Sequence, residues 1–339
     1  MGTVRRGHQR PITMDCAIRL HEFGGPDVMR VERSDAGDPG PNEVRLRQTA
    51  IGVNFIDIVQ RRGVSPIALS LPSGIGGEAA GIIEAVGSAV RGFNVGDRVA
   101  YANVYGGAYA SVRLLKPDAL VPLPDEISDR QAAGMMLKGL TAWCLVRQVF
   151  DTKAGDVVLI HAAAGGVGSI VCQWLKHLGA TVIGTVSSDE KAGLARSCGC
   201  DHVIVYTRSD FVSQVMDITG GRKVSVVFDS VGKETFLGSL DCLRPLGLAV
   251  LFGQASGPVG PIDLGLLAAK GSLFVTRPTL SAYTSTRSDL LNGARSLFKM
   301  VKSGCIGIPV LQTHQLADAA DAHRALEMRR TVGCTILLP

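Results

Sequence analysis

The sequence predicts an α/β chain in two parts, a doubly wound parallel sheet inserted into a β-rich domain. Three observations carry this. From about residue 139 to 279, apolar stretches such as "DVVLI", "ATVIGTV" and "VSVVFDSV" alternate with helical stretches. Strands that are apolar without alternation belong to parallel sheets covered on both faces. Residues 14–130 are instead turn-rich and read as short strands separated by glycine turns. After residue 280 come two amphipathic helices and a closing strand, "CTILLP", so the β-rich part returns at the C-terminus.

The elements follow in order. "DCAIRL", "EVRLRQTAIGVN", "AAGIIEAVGSAV" and "GDRVAYA" read as strands. "PDEISDRQAAGMMLKGLTAWCLVRQV" has helical spacing with Ser128 as N-cap, and Lys138-Gly139 predicts a break or kink. "DVVLI", a glycine-rich turn, a helix and "ATVIGTV" open the α/β part, followed by "DHVIVY", "VSVVFDSV", "GLAVLFG" and "SLFVTR". "RSDLLNGARSLFKMVKSG" and "LADAADAHRALEMRR" are the late helices.

The totals exclude several classes. A chain of 339 residues suggests about two domains, and 46% hydrophobic with 19% charged residues indicates a folded soluble protein. The net charge is +5 with both signs mixed, and no Lys/Arg run forms a stripe, so no nucleic-acid partner is expected. No apolar run reaches the roughly 18 to 20 residues that span a bilayer, so no membrane insertion is expected. The eight cysteines include no CxxC pair, and the one CxC pair, Cys198 and Cys200, lies at a helix end. Scattered cysteines read as reduced core thiols of a cytoplasmic protein. Residues 1–13, basic and without the apolar segment of a secretory signal, read as a floppy extension or an upstream start.

The strongest motif is "HAAAGGVGS", directly after "DVVLI". Its Ala163-x-Gly165-Gly166-x-Gly168 pattern, with a strand before and a helix from near Val167, suits a dinucleotide pyrophosphate at a helix N-terminus. His161 reads as a residue packed at a strand end. The second strand ends Val186-Ser187-Ser188, followed by Asp189-Glu190-Lys191, with no carboxylate at the tip to hold ribose hydroxyls. Ser187, Ser188 and Lys191 could instead hold a 2′-phosphate, which favours NADPH; the competing reading makes Lys191 a solvated helix residue. Tyr206 fits either the adenosine end or a half-buried core position. In "SGIGGEAAG", Glu78 reads as a buried carboxylate satisfied by turn N–H groups or an arginine, in a structural rather than a proton-transfer role.

Together "IGVNFIDIVQRRG", "SGIGGEAAG", "GDRVAYA", "LKGLTAWCLV", "HAAAGGVG", "VVFDSVG" and "FVTRPTL" resemble the quinone oxidoreductases, the zeta-crystallin-like, zinc-free branch of the medium-chain dehydrogenase/reductase superfamily, from about Cys16 to Pro339. The resemblance implies a Rossmann NADP-binding domain over 139–279 inserted into a GroES-like catalytic domain of 14–138 and 280–339. It puts Asn54 where zinc members carry their first ligand cysteine and Gly77 in place of their ligand histidine. The four-cysteine lobe around Gly96–Val112 is missing, so no metal is expected. It places Asn54, Phe55, Ile56 and Asp57 along the nicotinamide cleft, with Lys138 and Thr141 beside it. Gly165, Gly166 and Val167 should cover the pyrophosphate. Ser188, Lys191 and Tyr206 should hold the 2′-phosphate end, with Ser230 at the adenosine. Phe252, Gly253 and Gln254, Val275, Thr276 and Arg277, and Arg329 should reach the cofactor from three further segments.

The chain departs from the family at Val59 and Ser65, where some bacterial members carry cleft tyrosines. The loop Arg61 to Pro72 is therefore expected to set substrate choice. Without zinc, hydride must go to a conjugated, electron-poor acceptor whose oxygen needs only hydrogen-bond donors, with water as the proton source. Asn54 and Arg277 are the expected donors, and Asp57 completes the expected catalytic set. A quinone is the expected acceptor. A 2-alkenal or enone, or a non-catalytic, crystallin-like role in binding NADPH, are the alternatives. A homodimer through "SLFVTR" follows from the resemblance alone.

Overall fold

Residues 14–65 and 69–339 are described by a computed structural model. The 1–13 extension lies outside the described residues. The apolar segments of the middle region form one six-stranded, wholly parallel sheet, in the spatial order His202–Val205, Thr181–Val186, Val157–Ile160, Val224–Asp229, Leu243–Leu251 and Phe274–Thr276. Val224–Asp229 is buried at every position, as a strand covered on both faces must be. The first strand of this sheet in sequence, Val157–Ile160, lies at its centre, and the order reverses beside it. That reversal opens a crevice at the carboxyl ends of the strands.

The β-rich part forms a second, seven-stranded sheet and a smaller three-stranded one. Val44–Val53 is its spine: it pairs antiparallel with Ala79–Val86, Val112–Leu115 and the closing strand Cys334–Leu338. The C-terminus therefore completes a sheet begun before residue 60, as the inserted arrangement requires. Five strands were not legible in the sequence: Met29–Arg33, Ser73–Gly74, Val112–Leu115, Val121–Pro122 and Val310–Gln315, of which the first and last are the longest. Met29–Arg33 ("MRVER") pairs with Cys16–Leu20, and Val310–Gln315 ("VLQTHQ") lies parallel to the closing strand at the sheet edge. Both are short and half-exposed, so neither carries the apolar pattern of a core strand.

The predicted break at Lys138-Gly139 is absent. One helix runs from Asp129 to Trp143 and passes into a π-helical stretch, Cys144–Val149. Ser128 caps it, its hydroxyl accepting from the Gln131 N–H. Gly139 is there for packing: a Cβ at that position would stand 2.5 Å from a Leu297 methyl on the helix Arg287–Lys302. Gly293 on that second helix answers it, lying where a Cβ would meet the Trp143 ring at 2.9 Å. Two glycines thus let the helices cross closely, which is why helical periodicity continues through the apparent breaker.

A closer approach occurs inside the β-rich sheet, where Gly81 faces Gln48. A Cβ on Gly81 would lie 2.1 Å from the Arg47 carbonyl oxygen and 2.8 Å from the Gln48 Cα, and neither backbone atom can give way. Gly81→Ala is expected to cost about 3 kcal/mol, read as a lower urea midpoint. Gly193→Ala, in an open helix position with nothing within 4 Å, should be neutral or raise stability by up to about 1 kcal/mol.

Candidate active site

The crevice at the carboxyl ends of the parallel strands is a cleft of about 720 Å³, shared between the two sheets. Its floor on one side is the turn after Val157–Ile160. The helix that follows runs Gly166–His177, with Gly165 as an N-cap that supplies no side-chain cap, so its first N–H groups face the cleft. Gly168 brings that helix onto the strand: a Cβ there would lie 2.3 Å from the Ala162 carbonyl oxygen. Ala162 itself takes a left-handed conformation, φ 55°. Gly166 sits against Lys138, whose Cδ would be 2.8 Å from an added Cβ. These are the features of a pyrophosphate cradle. His161 stays out of it, buried with Nδ1 on the Thr185 hydroxyl and Nε2 on the Ser239 hydroxyl.

At the end of the second strand, Ser187, Lys191 and Tyr206 line the cleft. Ser188 does not. Its hydroxyl turns back to cap the next helix, accepting from the Lys191 N–H at 3.4 Å. The carboxylate of Asp189 is engaged by Arg208. Lys191 reaches across to the C-terminal segment, its ammonium donating to the Arg329 carbonyl at 2.8 Å. Arg329 is held in a left-handed conformation, φ 57°. Burial, and then the adjacent Arg329 charge, pull the Lys191 ammonium below its ordinary pKa. Two cations side by side, with Ser187 and Tyr206 nearby, make a receptor for a dianionic group.

The other end of the cleft rests on a buried polar network. Glu78 is fully buried and accepts from three donors: the Leu137 N–H at 2.6 Å, the Asn54 carboxamide at 2.8 Å and the Lys138 ammonium at 3.4 Å. The expected satisfaction of Glu78 by turn N–H groups or an arginine is corrected to these three. Burial lowers the Lys138 pKa, but the charges of Glu78, Cys334 and Asp57 outweigh it and hold the group above its ordinary value. Gly52 makes room: a Cβ there would fall 2.2 Å from Glu78 Oε2.

Asp57, expected beside the nicotinamide, lies beneath the cleft and does not line it. Its Oδ2 accepts from the Asn54 N–H at 2.9 Å and the Tyr109 hydroxyl at 3.0 Å, so it caps the short helix Phe55–Arg61. Its Oδ1 is buried without a partner. Burial pushes the Asp57 carboxyl up to about 7 against those donors and the Lys138 charge. The chain continues through His323. Arg61 can only donate, so His323 Nδ1 accepts from it at 3.1 Å, Nε2 carries the proton, and Nε2–H meets the Tyr109 oxygen at 2.9 Å. Burial and the Arg61 charge lower His323 to about 3, which keeps it neutral.

Of the expected residues, Asn54, Phe55, Ile56, Lys138, Thr141, Gly165, Gly166 and Val167 line the cleft. So do Ser187, Lys191, Tyr206, Ser230, Phe252, Gly253, Gln254, Arg277 and Arg329. Val275 and Thr276 do not, because the last parallel strand ends at Thr276 and the cleft begins after its tip, at Arg277 to Ser281. Val59 and Arg62 line it, whereas Ser65 does not. Asn103, Tyr105, Leu326 and Glu327 also line it without being anticipated. Asn103 and Tyr105 sit on an irregular segment with no period to read, and Leu326 and Glu327 end the helix Ala319–Glu327, whose periodicity does not tell which end meets the cleft.

Residues 166–289 match the zinc-binding dehydrogenase family and residues 40–125 the alcohol dehydrogenase GroES-like domain. The chain is 51% identical over 322 residues to a quinone oxidoreductase of Pseudomonas aeruginosa, spanning 95% of this chain and 99% of that one. It is 47% identical to a 2-haloacrylate reductase of Burkholderia sp, spanning 96% and 99%. A crystal structure of the Escherichia coli quinone oxidoreductase complexed with NADPH superposes with a TM-score of 0.93 at 47% identity, over 96% of this chain and all of that one. The first family description implies zinc, and the residues here do not fit it. The Asn54 carboxamide is bonded to Glu78, and Gly77 offers no ligand. Its Cβ direction is filled by the Tyr105 ring at 2.5 Å. Among the described residues no group of three or more His, Cys, Asp and Glu could hold a metal ion. NADPH, by contrast, fits the uncapped helix end, the glycine cradle and the paired cations.

Asp57 supplies a pH signature. Its carboxyl titrates near 7 folded against 3.8 in an unperturbed chain, so the folded state binds more protons between those values. Its contribution to stability therefore falls as pH rises through that window. The stability of Asp57→Asn relative to the parent chain should be higher at pH 8 than at pH 5, with a slope of at most about 1.4 kcal/mol per pH unit. Urea unfolding of both proteins at the two pH values measures it, and a flat difference would contradict the assignment.

Proposed function

The chain belongs to the quinone oxidoreductase family of the medium-chain dehydrogenase/reductase superfamily, and from that membership we propose that it is an NADPH-dependent oxidoreductase that reduces a quinone without a metal. The single observation that carries the cofactor reading is the juxtaposition of Lys191 and Arg329 at the end of the second parallel strand. A ribose diol there would want a carboxylate at the strand tip, and the first one after it in the chain, Asp189, is held by Arg208. A 2′-phosphate would want two cations.

When bound, NADPH supplies a hydride from its nicotinamide. The chain's own residues bind and orient. Gly166 and Val167 present backbone N–H groups to the pyrophosphate, while Gly165, whose own N–H donates to the Ala162 carbonyl at 2.9 Å, brings the chain in without a side chain. Ser187, Lys191, Tyr206 and Arg329 hold the phosphate end, and Ser230 and Phe252 to Gln254 flank the middle. Phe55, Ile56, Lys138 and Thr141 wall the reacting end, where Asn54 and Arg277 offer hydrogen bonds to an acceptor. Arg277 is steadied by Gln254 at 3.0 Å. Asp57 serves beneath them as a positioning group. With no Lewis acid, an acceptor whose oxygen is already conjugated is favoured over a simple ketone.

A second reading, reduction of a conjugated alkene such as an enone or 2-alkenal, is supported by the similarity to the 2-haloacrylate reductase. The division into a GroES-like part, 14–138 with 280–339, and a Rossmann part, 139–279, belongs to the same proposal. So does a cytoplasmic setting, which the eight unpaired thiols support. Among the described residues no helix is long and apolar enough to cross a membrane. A homodimer is supported by the edge strand Phe274–Thr276. Its outer side is unpaired, and Phe274, Val275 and Leu246 are exposed there at 60%, 42% and 67%.

Turnover of NADPH with 1,4-benzoquinone and with methyl vinyl ketone tests the activity and ranks the two acceptor classes. Tight NADPH binding with neither acceptor reduced would support the non-catalytic reading. Lys191→Ala is expected to weaken NADPH binding by about 10-fold or more and to leave NADH binding unchanged. Equal effects on both would refute the phosphate assignment. Phe274→Asp, with a charge in the unpaired edge, should sediment as a monomer where the parent sediments as a dimer.

A further inference from the structure

One cleft side chain is built in with unusual care and has no role so far. Tyr105 lines the reacting end of the cleft. Three tyrosines occur between residues 101 and 109. The Tyr101 hydroxyl is buried on Gln48 at 2.5 Å, and that of Tyr109 is held between Asp57 and His323. The Tyr105 hydroxyl has no partner among the described residues, and the residue is half-buried.

The loop holds its position firmly. Asn103 adopts a left-handed φ of 65° and Gly106 one of 85°, which turns the chain back on itself. Arg113 clamps the carbonyls of Val104 at 2.7 Å and Tyr105 at 3.2 Å. The Val104 N–H donates to the Gly77 carbonyl at 3.2 Å. The Tyr105 ring then lies against Gly77, in the space where a residue-77 side chain would project, 2.5 Å from an ideal Cβ. Relatives that use zinc place a metal ligand at this position, according to the resemblance drawn from the sequence. The same volume here is filled by a phenol.

We propose that Tyr105 is a catalytic hydrogen-bond donor to the carbonyl oxygen of the hydride acceptor, taking the polarising place that a metal would occupy. The proposal rests on the quinone-reductase reading and deepens it. The acceptor gains two electrons and one proton as hydride from NADPH, which becomes NADP⁺. Negative charge develops on the acceptor oxygen, and a proton from water completes the hydroquinone. Tyr105 keeps its own proton throughout. Burial, and then the charges of Asp57 and Glu78, raise its hydroxyl pKa, so it is a donor across the working range. A neutral donor held in place by its own backbone clamp stabilises that developing charge without reorganising.

The test uses the full chain with NADPH and 1,4-benzoquinone. Tyr105→Phe keeps the ring against Gly77 and removes only the oxygen. It is expected to lower kcat/KM for benzoquinone by about 10²-fold, with the loss in kcat, while the Kd for NADPH stays within about 2-fold. Tyr105→Leu, which also removes the ring, should lose activity to a similar extent. Parent-like kcat/KM in Tyr105→Phe, with turnover by the parent intact, overturns the role of Tyr105 and leaves the functional reading standing. The same holds if only Tyr105→Leu is impaired, because that loss would come from ring packing. A parent chain that binds NADPH and reduces neither benzoquinone nor methyl vinyl ketone overturns both.

Discussion

The buried pair of Glu78 and Lys138 is the interaction on which the rest of the site depends. A carboxylate and an ammonium removed from water must find each other and fill their remaining hydrogen bonds, or the fold loses several kcal/mol. Glu78 lies between the short strand Ser73–Gly74 and the strand Ala79–Val86, and Lys138 on the long helix Asp129–Trp143. Their contact, with the Leu137 N–H and the Asn54 carboxamide, locks strand, helix and cleft wall into one register. The alkyl chain of Lys138 also supports Gly166, at the mouth of the pyrophosphate helix. One side chain therefore links the β-rich sheet to the nucleotide turn, and the spacing between the two ends of the cleft follows from it.

Those two ends are built on opposite electrostatic principles. At one end Lys191 stands beside Arg329, with the open helix N-terminus also lining the cleft, positive charge that an anionic ligand would relieve. At the reacting end, charge is compensated beneath the surface. Asp57, His323 and Arg61 are tied into a single hydrogen-bonded chain that closes on Glu327 at the cleft rim. The polar side chains that line the cleft there include Asn54, Arg277 and the Tyr105 phenol. A neutral, conjugated acceptor suits that surface, and a cofactor with a dianionic tail suits the other.

Several residues were legible and others were not, for definite reasons. Gly165, Gly166 and Gly168 were readable because backbone approach to a phosphate imposes glycine at fixed spacing after a strand. Lys191, singled out because the missing carboxylate at a strand tip is a local feature, lines the cleft. Ser188 was assigned to the phosphate on that same proximity, yet its hydroxyl caps a helix, since an unsatisfied N–H three residues on competes for it. Gly139 looked like a helix breaker and is a contact point for Leu297, a residue 158 positions later in the chain. Asp57 shared a motif with cleft residues, but one turn of helix carried it underneath them.

The sequence by itself determined the inserted arrangement of two sheets, the glycine turn at the head of a helix, the second strand's tip without a carboxylate and the absence of the zinc-ligand residue types from their family positions. Each of these is written in residue types at short, regular spacing. The tertiary structure alone decided what replaced those ligands. Tyr105 meets Gly77 across 28 residues of chain, Lys138 meets Glu78 across 60, and His323 meets Arg61 across 262. Contacts of that kind arise from how sheets and helices pack, and no periodicity within either segment encodes its partner in the other.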